Sequence, residues 1–150
     1  MHPSPDVVPQ IALYQRQRHH RCDLKWLRQS IARAMPLCLA QVTGESPPLP
    51  GLTEIEASIV TDKVIGQVHA EFLGDPAPTD VITFHHGEIL VSADTAARAG
   101  SAHGLSLDEE LLLYLIHGLL HLGGWDDHDP EEAARMKAVQ EQILGQVLSA

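Results

Sequence analysis

The run Leu111 to Leu122, LLLYLIHGLLHL, limits the fold more than any other feature of the chain. It is apolar apart from Gly118 and two histidines. A helix hydrophobic nearly all round belongs inside a protein, and this one is well short of the roughly 20 residues that span a membrane. Ser106 and Glu109 form a capping-box pattern just ahead of it, and Gly123-Gly124 closes it. The sequence therefore predicts a central buried helix, part of a metal-binding helix and loop over residues 107–128.

His117 and His121 stand four apart on that helix, so their rings leave one face at adjacent turns and can converge on one ion. Burying two imidazoles among leucines is costly unless something engages them strongly. Beyond the paired glycines, Asp126, Asp127 and His128 can fold back as third ligands. Three protein donors plus an open position is the arrangement of a catalytic zinc site. The helix reads H-G-L-L-H rather than H-E-x-x-H, so the glutamate base of a zinc peptidase is missing. Gly118, in its place, is expected to leave room beside the metal.

The rest of the chain reads as one α+β domain over residues 1–150. Residues 1–9, rich in proline, are expected to form a flexible tail without a secretory signal pattern. Ile11 to Arg18 reads as an edge strand, and Asp23 caps a helix toward Leu39 whose last turn is strained by Pro36. Thr53 to Val60 alternates as a strand. Asp62 caps a short helix carrying Val64, Ile65, Val68 and Phe72, broken at Gly74 to Pro78. Two strands follow, Val81 to Phe84 and Glu88 to Ser92. A small helix opens at Asp94 and ends near Gly100, and Pro130 starts a last helix buried through Ala133, Met136, Val139, Ile143 and Val147. The expected architecture is a small mixed sheet of about four strands flanked by helices.

The formal net charge is −10, which excludes a protein that is basic all over. Residues 1–50 nevertheless carry a net +3, and six of the ten Lys and Arg lie between Arg16 and Arg33. Cys22 and Cys38 are the only cysteines. They read as core thiols of a protein in a reducing, cytoplasmic compartment. Of the six aromatic residues, only Trp125 offers itself for base stacking, and packing suits it better; His69 and His103 read as surface residues.

His117-Gly118-Leu119-Leu120-His121-Leu122-Gly123-Gly124-Trp125-Asp126 resembles the H-G-x-L-H-L-x-G-Y-D-H signature of the YbeY endoribonuclease family. Pro78-Thr79-Asp80-Val81-Ile82-Thr83-Phe84 is similar to the family's P-T-D-V-L-S-F, and Gly87-Glu88-Ile89-Leu90-Val91-Ser92 to its G-D-I-x-I-S. The likeness covers roughly residues 54–148. It implies an α/β protein that cleaves single-stranded ribosomal RNA in ribosome maturation and quality control, with the small ribosomal subunit and assembly factors as partners and no membrane. It also implies one zinc ion per chain held by three histidines, of which His117 and His121 match. The third falls on Asp127 in an ungapped register, with His128 one step later; zinc accepts either donor. The family's Y-R-G aligns with Phe72-Leu73-Gly74, so its phosphate-engaging arginine is replaced by Leu73; either a base from the cluster Arg16 to Arg33 substitutes for it, or the protein is a weaker or altered enzyme. No catalytic base is assigned. Asp126 and Glu88 are candidates, Asp126 equally as a partner orienting a ligand imidazole, and His85 and His86 can line the cleft.

Overall fold

The computed structural model describes residues 8–74 and 79–150. Most of the tail expected over residues 1–9, and the end of the break at Gly74 to Pro78, lie outside the described residues. Four strands form one mixed sheet: β1 (Gln10–Gln15), β2 (Glu54–Val60), β3 (Val81–Phe84) and β4 (Glu88–Ser92), in the order β1-β2-β4-β3. β1 and β4 run parallel to β2, and β3 pairs antiparallel with β4 through the turn at His85-His86-Gly87. The α+β class and the strand count agree with the sequence reading. β1 does lie at an edge, as expected, but ends at Gln15 rather than Arg18.

Helices cover both faces of the sheet. α1 (Leu24–Leu39), α4 (Leu107–Leu122) and α5 (Pro130–Leu148) share the main core with Ile55, Ala57, Ile59, Ile89 and Val91. α2 (Asp62–Leu73) covers a smaller cluster of Val60, Ile65, Ile82 and Leu90, and α3 (Ala93–His103) packs alongside α4. Only the second half of β2 is covered on both faces: Glu54 and Glu56 are exposed, whereas Ser58 is 2% exposed and Val60 belongs to the smaller cluster. α4 is the axis of the fold, buried along most of its length, with the capping box at Ser106 and Glu109 intact. Pro36 is accommodated inside the last turn of α1, which runs on to Leu39.

Several local expectations are corrected. Thr61 rather than Asp62 caps α2, and Ser92 rather than Asp94 caps α3, because in each case a hydroxyl reaches the third amide of the helix first. α3 continues past Gly100 to His103, since the left-handed residue that ends it is Gly104. Val64 and Phe72 of α2 face solvent. Cys38 is fully buried, and burial pushes its thiol up to about 12; Cys22 is only half-buried. No helix among the described residues is long and apolar enough to cross a membrane.

Candidate metal centre

The two histidines of α4 point their Nε2 atoms at each other across 3.0 Å. The far side of each ring is fixed. His121 Nδ1 donates to the Trp125 carbonyl at 2.9 Å, and His117 Nδ1 donates to Gln140 Oε1 at 2.8 Å. Because both Nδ1 atoms carry protons to oxygen acceptors, both neutral rings present a bare lone pair at Nε2. Two lone pairs held face to face repel unless a cation lies between them. Burial, and then the neighbouring His117, hold the His121 imidazole below its ordinary pKa, outweighing the pull of Asp127, the Trp125 carbonyl and Asp126. The neutral form that binds metal is therefore favoured.

Asp127 stands where it could offer the next donor. Its two carboxylate oxygens lie 3.6 Å from His117 Nε2 and from His121 Nε2. Two ligands about 2.0–2.1 Å from one tetrahedral zinc stand about 3.3 Å apart, so the donor set fits such an ion. His117, His121 and Asp127 are the one such group among the described residues. The loop that brings Asp127 round depends on Gly124, which turns at φ 97° against the Thr43 carbonyl, where a Cβ would overlap. His128, the alternative third donor, stands outside this group, with its side chain 81% exposed and paired with Asp126 at 3.2 Å. Asp126 is thus not the group that orients a ligand ring. Gln140 and the Trp125 carbonyl do that.

Sequence reasoning missed Gln140, although a signal existed. It stands four positions after Met136 and three before Ile143 on α5, beside Val139 of the apolar stripe, and so shares their helix face. The room expected beside Gly118 is absent: a Cβ there would stand 3.0 Å from Ile89 and 3.1 Å from Thr83 Oγ1. Gly118 instead lets α4 lie close on β3 and β4.

A groove of about 420 Å³ runs along the free edge of β3, between the three donors on one side and His69 and Leu73 of α2 on the other. Thr79, Asp80, Thr83 and His85 also line it. His69, read as a surface residue, is a half-buried part of this wall. Of the histidine pair expected to line the cleft, His85 does so, while His86 is turned to Glu88 and does not appear among the lining residues. A second cavity of about 500 Å³ adjoins through Thr79, Asp80 and His117 and reaches Arg98, Tyr114 and the fully buried Glu110. Glu110 is held by His103, whose ring is otherwise exposed. Arg98 is the single Lys or Arg among the residues lining either cavity. The cluster from Arg16 to Arg33 supplies none, because it sits on and around β1 and α1, at the sheet edge opposite β3.

The family model for Endoribonuclease YbeY matches residues 13–148. This chain belongs to the YbeY family. The match reaches well upstream of residue 54, so the first strand and helix are part of the shared fold. Curated relatives named Endoribonuclease YbeY include proteins of Myxococcus xanthus, 35% identical over 106 residues, and Heliobacterium modesticaldum, 34% identical over 113 residues. These alignments cover 62% and 61% of the chain but 36% and 68% of the respective relatives. A third, from Exiguobacterium, is 32% identical over 125 residues, 70% of the chain and 77% of the relative. The solution structure of a Thermotoga maritima protein superposes with a TM-score of 0.64 over 93% of this chain and 90% of its own, at 22% identity, and so shares the fold.

Proposed function

We propose that this YbeY-family protein is a zinc-dependent endoribonuclease that cleaves single-stranded RNA during ribosomal RNA maturation in the cytoplasm, at the small ribosomal subunit. One observation carries the reading: two imidazole lone pairs and a carboxylate converge, with their outer atoms already hydrogen-bonded, at the wall of an open groove. His117, His121 and Asp127 would hold a divalent ion, which would supply Lewis-acid polarisation of a phosphoryl oxygen. The protein's own work is to position. Gln140 and the Trp125 carbonyl lock both rings, and the groove along β3 is where the RNA strand would lie. Among groups able to take a proton, Asp80, His69, His85 and His128 line the groove apart from the donor set, whereas Glu88 lies outside its walls.

A mainly structural zinc is less well supported. Such sites are closed by four protein donors, and here three converge, one of them the 41% exposed Asp127. The test is cleavage of a labelled single-stranded RNA by purified protein before and after chelation, with zinc restored, beside His121→Ala. Cleavage should stop on chelation, return with zinc and fall at least about a hundredfold in the variant. A His121→Ala protein that cuts at the wild-type rate would remove the metal from the reaction.

A further inference from the structure

Phe72 and Leu73, the last two residues of α2, are the most exposed large hydrophobic side chains among the described residues, at 62% and 64%. They are not isolated. The Phe72 ring meets Phe84 edge-on, with centroids 5.4 Å apart, and Phe84 lies nearly parallel to His86 at 5.6 Å. His86 is itself 69% exposed and anchored by Glu88 at 3.2 Å. Three planar rings from α2, β3 and the β3–β4 turn thus form a ladder on the surface. Leu73 and His85, which adjoin these rings in the chain, line the groove, while the three rings stand outside its lining.

We propose that this ladder is a nucleobase-stacking subsite that holds unpaired bases of the RNA strand beside the metal centre, with Phe72 as its exposed platform. The inference rests on the RNA reading of the groove. Two features favour bases over other occupants. First, the groove and the adjoining cavity offer one cation, Arg98, already committed to Asp62 at 2.7 Å, and the chain carries −10 overall. Phosphate neutralisation, the usual source of nucleic-acid affinity, is therefore weak, and the bases must contribute. Second, the patch is small. A phenylalanine offers roughly 150–250 Å², so Phe72, Leu73 and His86 fall well short of the roughly 800 Å² per partner of a stable protein interface. They match the face of one or two bases, which stack on aromatic rings whatever their identity and which a duplex hides.

The test compares binding of a short fluorescent single-stranded oligoribonucleotide, and of the same strand with abasic positions, to zinc-loaded wild type, Phe72→Ala and Phe72→Trp, with metal-dependent cleavage followed in parallel. Thermal melting verifies that the exposed substitutions leave the fold intact. Phe72→Ala should weaken binding of the base-bearing strand about tenfold, Phe72→Trp should bind at least as tightly as wild type, and the deficit should vanish on the abasic strand. Wild-type affinity should also fall only shallowly with salt. Equal affinity of Phe72→Ala and wild type, or an equal deficit on both strands, overturns the subsite while metal-dependent cleavage leaves the nuclease reading standing. A wild-type protein that neither binds nor cuts RNA overturns both.

Discussion

At the scale of single residues, the centre depends on atoms that do not face the ion. Gln140 holds the His117 tautomer from α5, so Gln140→Leu should lower zinc affinity about 10- to 100-fold, as loss of such partners does, measured by competition with a chromophoric chelator. In the same assay Asp127→Ala should lose more than that, while His128→Ala should bind as wild type does; a reversed order would make His128 the ligand. Gly118→Ala tests the packing of the metal helix. Its Cβ would press on Ile89, which has no exposed surface to yield into, and on Thr83. A loss of about 1–3 kcal/mol in urea unfolding is expected. The histidine pair was legible in the sequence because a helical spacing of four is independent of context. The choice between Asp127 and His128 was not, since neighbours in a loop differ by a backbone turn that residue types do not encode.

At the scale of elements, Asp62 joins three of them. Its carboxylate accepts from Ser92 Oγ at 2.6 Å, Thr95 Oγ1 at 2.7 Å and Arg98 at 2.7 Å, tying the start of α2 to the end of β4 and the start of α3. Burial alone would raise its pKa, but the hydrogen bonds from Ser92, Thr95 and Arg98 together hold it below the ordinary carboxylate value of 3.8. A depressed folded-state pKa contributes stability that is complete above the unfolded-state pKa and is lost as pH falls through the folded one. Asp62→Asn should therefore cost about 1–3 kcal/mol at pH 7, and the gap to wild type should close as urea titrations are taken below about pH 4. A gap that stays constant with pH would mean that the charge is not involved. Sequence signals placed each helix but misjudged the starts of α2 and α3, because Thr61-Asp62 and the Ser92 to Asp94 stretch each offer two capping side chains within a few positions. They grouped Phe72 with Val64, Ile65 and Val68 by helical spacing, which does not say whether the last turn overhangs its partner.

At the scale of the whole molecule, charge and chemistry are separated. The basic residues gather near β1, while the groove opens at β3 across the sheet. That separation was invisible to sequence reading, because strand order arises from long-range pairing, and β2 pairs with β4 rather than with β3. The fold class was legible, since alternating strands and one largely apolar helix leave few ways to bury their surfaces. Metal binding to the folded state alone must stabilise it: zinc at about a thousand times its dissociation constant should add about 4 kcal/mol, seen as a rise in Tm that His117→Ala abolishes. The claim on which the account turns is that one ion is held by two imidazoles and a carboxylate. X-ray absorption at the zinc edge of the loaded protein measures it directly. One zinc per chain with two imidazole nitrogens and remaining oxygen donors is the predicted result, whereas a third imidazole, or a zinc whose spectrum is unchanged in His121→Ala, would contradict it.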